Sequence, residues 1–188
     1  SKANHFADVL STTATNANTT IGMMGEAFTY AGSVAGALGY SVEDTALAIG
    51  MMANSGIKAS QAGTALRSMM TELSGTIEVT GKKLGTYVIQ TSNADGTMKP
   101  FRKTLESLRY AFSQLSEAER ASMAESLVGK NAMAGLLAIM NTSDEAFNSL
   151  ATAIDNSTGS AERMSDVMLD NLAGQITIIM SGVESLAL

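Results

Sequence analysis

The sequence predicts an all-α fold: a multi-helix bundle with one small β-hairpin at about 86–99 and a long C-terminal helix. Three observations carry that expectation. Apolar residues recur every three or four positions through most of the chain, the period of a helix with one buried face. Helix starts and stops follow in close order: Gly39, then Ser41 with Glu43 and Asp44 in its first turn, then Asn54-Ser55-Gly56. Strand-type composition is confined to Tyr87-Val88-Ile89-Gln90-Thr91, ahead of the turn Asn93-Ala94-Asp95-Gly96 and then Thr97-Met98-Lys99.

Phe6, Val9, Leu10 and Thr13 share one helical face, which places a first helix over about Ala3 to Thr15. Thr20 or Asn18 can cap the second, whose apolar face is Ile21, Met24, Phe28, Ala31, Ala35 and Leu38, with Gly39 as its left-handed terminator. A third runs from Val42 to about Asn54 with Val42, Ala46, Ile49 and Ala53 inward, and Gly56-Ile57 closes it. Ser60 opens a fourth, from about Gln61 to Leu73. The stretch Thr76 to Leu84 alternates at Ile77 and Val79, but Leu84-Gly85 resembles a helix end, so a short helix is expected there. Pro100 suits a helix start, and Phe101, Leu105, Leu108, Phe112 and Leu115 form the stripe that follows. Ser116 to Glu119 is a capping box, in which the serine takes the N3 amide and the glutamate reaches back. That helix ends near Gly129. Met133, Leu136, Leu137 and Met140 define the next, and Thr142 to Glu145 reads as a second box before Phe147, Leu150, Ala151 and Ile154.

From about Ala161 the pattern changes. Leu169, Leu172, Ile176, Ile179, Val183 and Leu186 step by threes and fours, a coiled-coil seam, broken only by Gly174 and Gly182. The seam carries no stop signal and the chain opens on Ser1-Lys2, so a segment of a longer protein is expected. The expected organisation is 1–76 as an N-terminal helical half, 77–99 as a connector, 100–160 as a C-terminal half and 161–188 as the long helix, the whole forming one domain or two.

Composition narrows the function. The 188 residues are 45% apolar but only 5% aromatic, without Trp, so the core must be aliphatic and rich in Ala and Met. There is no cysteine, which removes disulfides and thiolate metal sites. A net charge of -6 argues against a module that coats nucleic acid, and Lys82-Lys83 and Arg102-Lys103 read as solvated helix faces. No stretch reaches the roughly 20 mainly apolar residues of a membrane span.

A search for reactive constellations finds few. His5 is the single histidine and reads as an ordinary surface residue, without a second histidine or a cysteine to complete a site. Glu43-Asp44, Glu117/Glu119 and Asp144-Glu145 all fall in first helical turns, where anions complement the helix dipole by about 0.3–1 kcal/mol. Asn93 to Gly96 resembles the middle of a calcium loop, but that register puts Thr91 at the first ligand and Arg102 at the bidentate acid. No catalytic, cofactor or metal residue is expected. Two features stand out instead. Gly32 and Gly36 form a small-xxx-small face that lets a helix backbone approach. Methionine occurs 13 times, with pairs at Met23-Met24, Met51-Met52 and Met69-Met70, suited to filling a wide apolar face or to surfaces that repack.

The order of these pieces resembles the conserved core region of tape measure proteins of long-tailed bacteriophages and prophages, of the TP901-like family. The resemblance spans nearly the whole chain. It rests on Phe28-Thr29-Tyr30-Ala31-Gly32, on Ala37-Leu38-Gly39-Tyr40-Ser41-Val42-Glu43-Asp44-Thr45, and most specifically on the run from Asn54 to Arg67, NSGIKASQAGTALR. Asp95-Gly96-Thr97-Met98-Lys99-Pro100 and Ala134-Gly135-Leu136-Leu137-Ala138 continue it in order. One departure is Ile77-Glu78-Val79-Thr80-Gly81, where such proteins usually show a charged helical run.

The resemblance implies a structural protein of the virion tail, lying inside the tube, setting tail length during assembly and leaving ahead of the DNA. The host cytoplasm is its implied location during assembly. Its implied partners are other copies of the tape measure, tail tube and tail-tip proteins and assembly chaperones, without specific nucleic-acid binding, and with membrane contact only during infection. The candidate contacts are Gly32, Gly36, Leu169, Leu172, Ile176, Ile179, Val183 and Leu186. The alternatives are a membrane-active helical module used in genome delivery and, more remotely, a cell-wall hydrolase.

Overall fold

The computed structural model describes residues 1–163, which form eight α-helices, one two-stranded antiparallel sheet and a closing 3-10 turn. The helices are α1 (Lys2–Asn16), α2 (Ile21–Ala37), α3 (Val42–Asn54), α4 (Ala59–Glu72), α5 (Phe101–Ser113), α6 (Glu117–Val128), α7 (Met133–Asn141) and α8 (Asp144–Asp155). The strands β1 (Thr76–Gly81) and β2 (Gly85–Gln90) lie between α4 and α5, and the turn is Ala161–Arg163. The long C-terminal helix and its seam from Leu169 to Leu186 lie outside the described residues.

Local chemistry sets most helix ends. Thr20 accepts the Met23 amide at 3.1 Å, Ser41 that of Asp44 at 3.1 Å, and Ser116 with Glu119 completes both bonds of the capping box. Gly39 and Gly56 adopt φ of +74° and +87°, and behind them Tyr40 and Ile57 donate back to Ala35 and Met52. These are Schellman closures, which satisfy the last carbonyls of α2 and α3. Two expected starts are corrected. Ser60 does not cap α4: the helix begins at Ala59, which holds φ +53°, and Lys58 occupies the cap without a side-chain bond. The cap of α8 is Ser143, taking the Ala146 amide, because the Thr142 hydroxyl is committed to Ala138 at the end of α7.

The connector differs most from expectation. Residues 76–81 form a strand rather than a short helix, and the hairpin is β1–β2, displaced from the expected 86–99. Ile77 pairs with Ile89 and Val79 with Tyr87, so one sheet face turns inward while Glu78 and Val88 stay exposed. Lys82 and Lys83 therefore sit in a hairpin turn, not on a helix. The residues after β2 keep only one bridge, Ser92 to Met98, around a turn in which Asp95 accepts the Thr97 amide and hydroxyl.

Packing follows from size. α3 is buried continuously from Asp44 to Ala53, so it is the central helix, wrapped by α1, α7 and α8 as well as by its neighbours in sequence. A helix apolar all round belongs inside, which explains why both members of Met51-Met52 are enclosed, as are Met69 and Met70. Of those pairs, only Met23 reaches solvent. α2 and α4 approach so closely that a Cβ on Gly63 would stand 2.4 Å from the Ala27 carbonyl oxygen. Phe6 meets Phe28 edge-on at 5.0 Å, and Tyr40 lies 4.9 Å from Phe101, joining the first helices to α5.

Candidate functional site

The ionisable groups the fold draws inward are used between helices. Asp44, in the first turn of α3, accepts the backbone amide of Arg102 at 3.1 Å, and the Arg102 Nε stands 3.0 Å from its other oxygen as an ion pair rather than an aligned hydrogen bond. The guanidinium then clamps Asp155, at the end of α8, with two bonds of 2.7 and 2.9 Å. Arg102 is thus no solvated surface cation but the centre of a tie between α3, α5 and α8. Burial pushes the Asp44 carboxyl above its ordinary range, outweighing the opposing pull of Arg102. The Asp155 bond leads in holding the Arg102 guanidinium charged.

Two further ties repeat the design. Arg109 donates to the Ile139 carbonyl at 2.6 Å and to Asp144 at 2.8 Å, with its guanidinium 4.7 Å from the Phe147 ring centre. Asp8, buried on α1, accepts the amides of Gly159 and Ala161, both at 2.9 Å, and so fastens the closing turn to the first helix. His5 pairs with Glu43 and is partly buried, not a free surface histidine. Glu119 adds the Lys82 amide to its capping bonds, tying the hairpin turn to α6, and these bonds hold its carboxyl below the usual range.

The carboxylates that the sequence singled out therefore serve as caps and ties. Glu117 and Glu145 stand in the first turns of their helices, as expected. Among the described residues, no three His, Asp or Glu side chains come together where a metal ion could be held. The groove between α4 and the start of α7 is lined by Ser60, Gln61, Thr64, Ser68 and Asn131 and contains no ionisable side chain. A groove near the start of α8 holds Arg109, Glu117, Arg120 and Asp144, but both arginines are already donating, Arg120 to the Phe112 carbonyl. No helix of the described residues is long and apolar enough to cross a membrane.

Residues 1–129 match the family model described as phage-related minor tail protein. The chain belongs to that family. It is 35% identical over 187 residues to the tape measure protein of Pneumococcus phage Dp-1, covering 100% of this chain and 16% of that protein. It is 27% identical over 187 residues to the probable tape measure protein of Escherichia phage P2, covering 98% of this chain and 23% of that protein. The chain thus spans less than a quarter of either relative. No solved structure matches it. Membership of a tail-protein family, together with homologues that are tape measure proteins, supports a structural role in the phage tail.

Of the residues proposed from sequence as contacts, Gly32 and Gly36 are both buried in α2. The other six lie outside the described residues. The ties of Asp8, Arg102 and Arg109 went unforeseen, since their partners stand far away in sequence. One signal was present: Arg109 follows Leu108 of the apolar stripe of α5, and a cation beside a buried face needs an acid.

Proposed function

We propose that the chain is a structural module of a tape measure protein of the TP901-like type, contributing to tail assembly and to tail-length determination through helix-mediated contacts. The observation that carries this reading is the match along essentially the whole chain to tape measure proteins several times its length. The geometry supports it: buried charges are consumed in pairs between helices, and the close approach of α2 to α4 depends on small residues. On this reading the module works inside the tail tube and self-associates. Its partners are other tape measure copies, tube and tail-tip proteins and, during assembly in the host cytoplasm, tail chaperones. The contacts assigned to it are those of the seam of Leu169, Leu172, Ile176, Ile179, Val183 and Leu186, since the Gly32–Gly36 stripe is buried within the module. The helical halves 1–76 and 100–160 serve as the body, 77–99 as the connector and 161–188 as the handle to the parent chain.

Removing residues from Leu169 onward tests this. Sedimentation velocity should show weakened association while circular dichroism shows that the preceding helices persist. Association unchanged by the truncation would refute the role given to the seam.

A further inference from the structure

β1 and β2 form a sheet of only two strands, so each strand has an open edge. The two edges differ. β1 carries Glu78 at its centre, and antiparallel pairing of two such strands about that residue sets like charges face to face, which is unfavourable. β2 reads Gly-Thr-Tyr-Val-Ile-Gln, with no charge and no proline, and the next two residues, Thr91 and Ser92, are also uncharged. Strand edges in proteins are commonly guarded by charge, proline or a bulge. β1 is guarded in this way and β2 is not.

The hydrogen-bond phase identifies which groups the edge presents. The Thr91 amide donates to the Gly75 carbonyl, so the residues bonded across the hairpin are Ile77 with Ile89 and Val79 with Tyr87. By the alternation of an antiparallel ladder, Thr86, Val88 and Gln90 turn their N–H and C=O groups away from β1. Val88 is 49% exposed. Beside it on the inner face, Tyr87 packs 5.4 Å from Tyr110 of α5, and Tyr110 is 56% exposed. An apolar ledge therefore accompanies the open edge.

We propose that β2 pairs with β2 of a second copy of this chain, antiparallel and centred on Val88, joining two hairpins into one four-stranded sheet. The register is self-complementary. Val88 faces Val88, and Thr86 and Gln90 of one copy meet Gln90 and Thr86 of the other. On the inner face Tyr87 meets the partner copy's Ile89, so the apolar row continues across the junction. Charge does not oppose this register: the Lys82-Lys83 turn of each copy comes to the end of the strand where the other carries both Asp95 and, bonded to Thr91, Lys99. The chain carries a net charge of -6, so an uncharged edge is a part of its surface where two copies can meet without repulsion. This pairing is independent of the C-terminal seam.

The test is light scattering and sedimentation on the whole 188-residue chain with three variants. The unmodified chain should dimerise in a concentration-dependent way. Val88→Lys and Val88→Glu should each weaken association on the order of tenfold, and an equimolar mixture of the two should restore it. Val88→Pro removes an outward N–H without breaking a bond to β1, a position where an edge strand tolerates proline. It should weaken association at least as much as either charged variant while leaving far-ultraviolet dichroism unchanged. A monomeric parent chain overturns the proposal. So do lysine and glutamate variants that associate as the parent does, or a mixture that associates no better than either alone.

Discussion

The approach of α2 to α4 gives the sharpest test of how this fold is held. At Gly63 the missing Cβ would lie 2.4 Å from Ala27 O and 2.9 Å from Tyr30 Cβ, where real Cβ atoms essentially never come closer than 3.0 Å. Gly63→Ala must therefore separate two helix backbones by several tenths of an ångström, and no rotamer change can relieve a carbonyl oxygen. Overpacking of this kind costs about 1–3 kcal/mol. Against it stands the gain of replacing a helical glycine with alanine, about 1 kcal/mol. The net expectation is a loss of up to about 2 kcal/mol, or up to roughly 4–8 °C in Tm for a chain of this size. Two substitutions calibrate it. Gly135→Ala also meets neighbours, but these are the Met69 Cε at 2.7 Å and the Met52 Sδ at 3.0 Å, flexible ends that can move, so its loss should be smaller. Gly22, exposed in the first turn of α2, should give a neutral or stabilising alanine variant. Thermal and urea unfolding followed by circular dichroism read all three. If Gly63→Ala is as stable as the parent or more so, close helix approach is not what this glycine provides.

Three further outcomes follow from the polar interior. Tyr40 is 2% exposed, its hydroxyl has no partner among the described residues, and burial pushes its pKa up from 10.0 to about 12. Its folded value lies above the unfolded one, so the stability contributed by the neutral phenol is complete below pH 10 and is lost as the pH rises toward 12; Tyr40→Phe should remove that alkaline step in unfolding curves and raise stability by up to about 1 kcal/mol. Arg102→Ala should cost about 2 kcal/mol because it strands buried Asp44, whereas Asp155→Ala, whose side chain is 48% exposed, should cost less than about 1 kcal/mol by urea titration. Asp8→Ala leaves the Gly159 and Ala161 amides without their acceptor and should cost about 1–3 kcal/mol, with faster hydrogen exchange at those two amides as its specific signature.

What could be read from the sequence was what the chain decides locally. Thr20, Ser41 and Ser116 each cap the residue three positions on, and Gly39 and Gly56 provide backbone angles that side chains disfavour, so each signal lies within one turn of the end it sets. The connector failed for the same reason. A glycine at positive φ closes a hairpin turn as readily as a helix, and Gly85, at φ +74°, closes the former. Ile77 and Val79 were the better guide, but two alternating residues are a short signal against an adjacent apparent terminator. In α3, the expected inward stripe of Val42, Ala46, Ile49 and Ala53 was correct yet too narrow, because burial on every side depends on helices that arrive much later in the chain. The ties lie beyond any local pattern: Arg102 finds Asp44 58 residues away and Asp155 53 away, and Asp8 reaches Gly159 across 151.

Those same separations bear on function. Each buried ion joins an early helix to a late element, α1 to the closing turn, α3 to α5 and α8, α5 to α8, and each is spent on partners already in place. A charged group held in this way fixes how helices sit against one another, because leaving its partner unpaired costs more than the pair itself contributes. Catalysis needs the opposite arrangement, with groups of perturbed acidity converging on one space and left available to a substrate. Here, among the described residues, Asp44 faces the amide and guanidinium of Arg102, and its pKa is raised because it is packed away. The polar interior therefore maintains shape, which is the property a module of a tail structural protein has to reproduce from copy to copy.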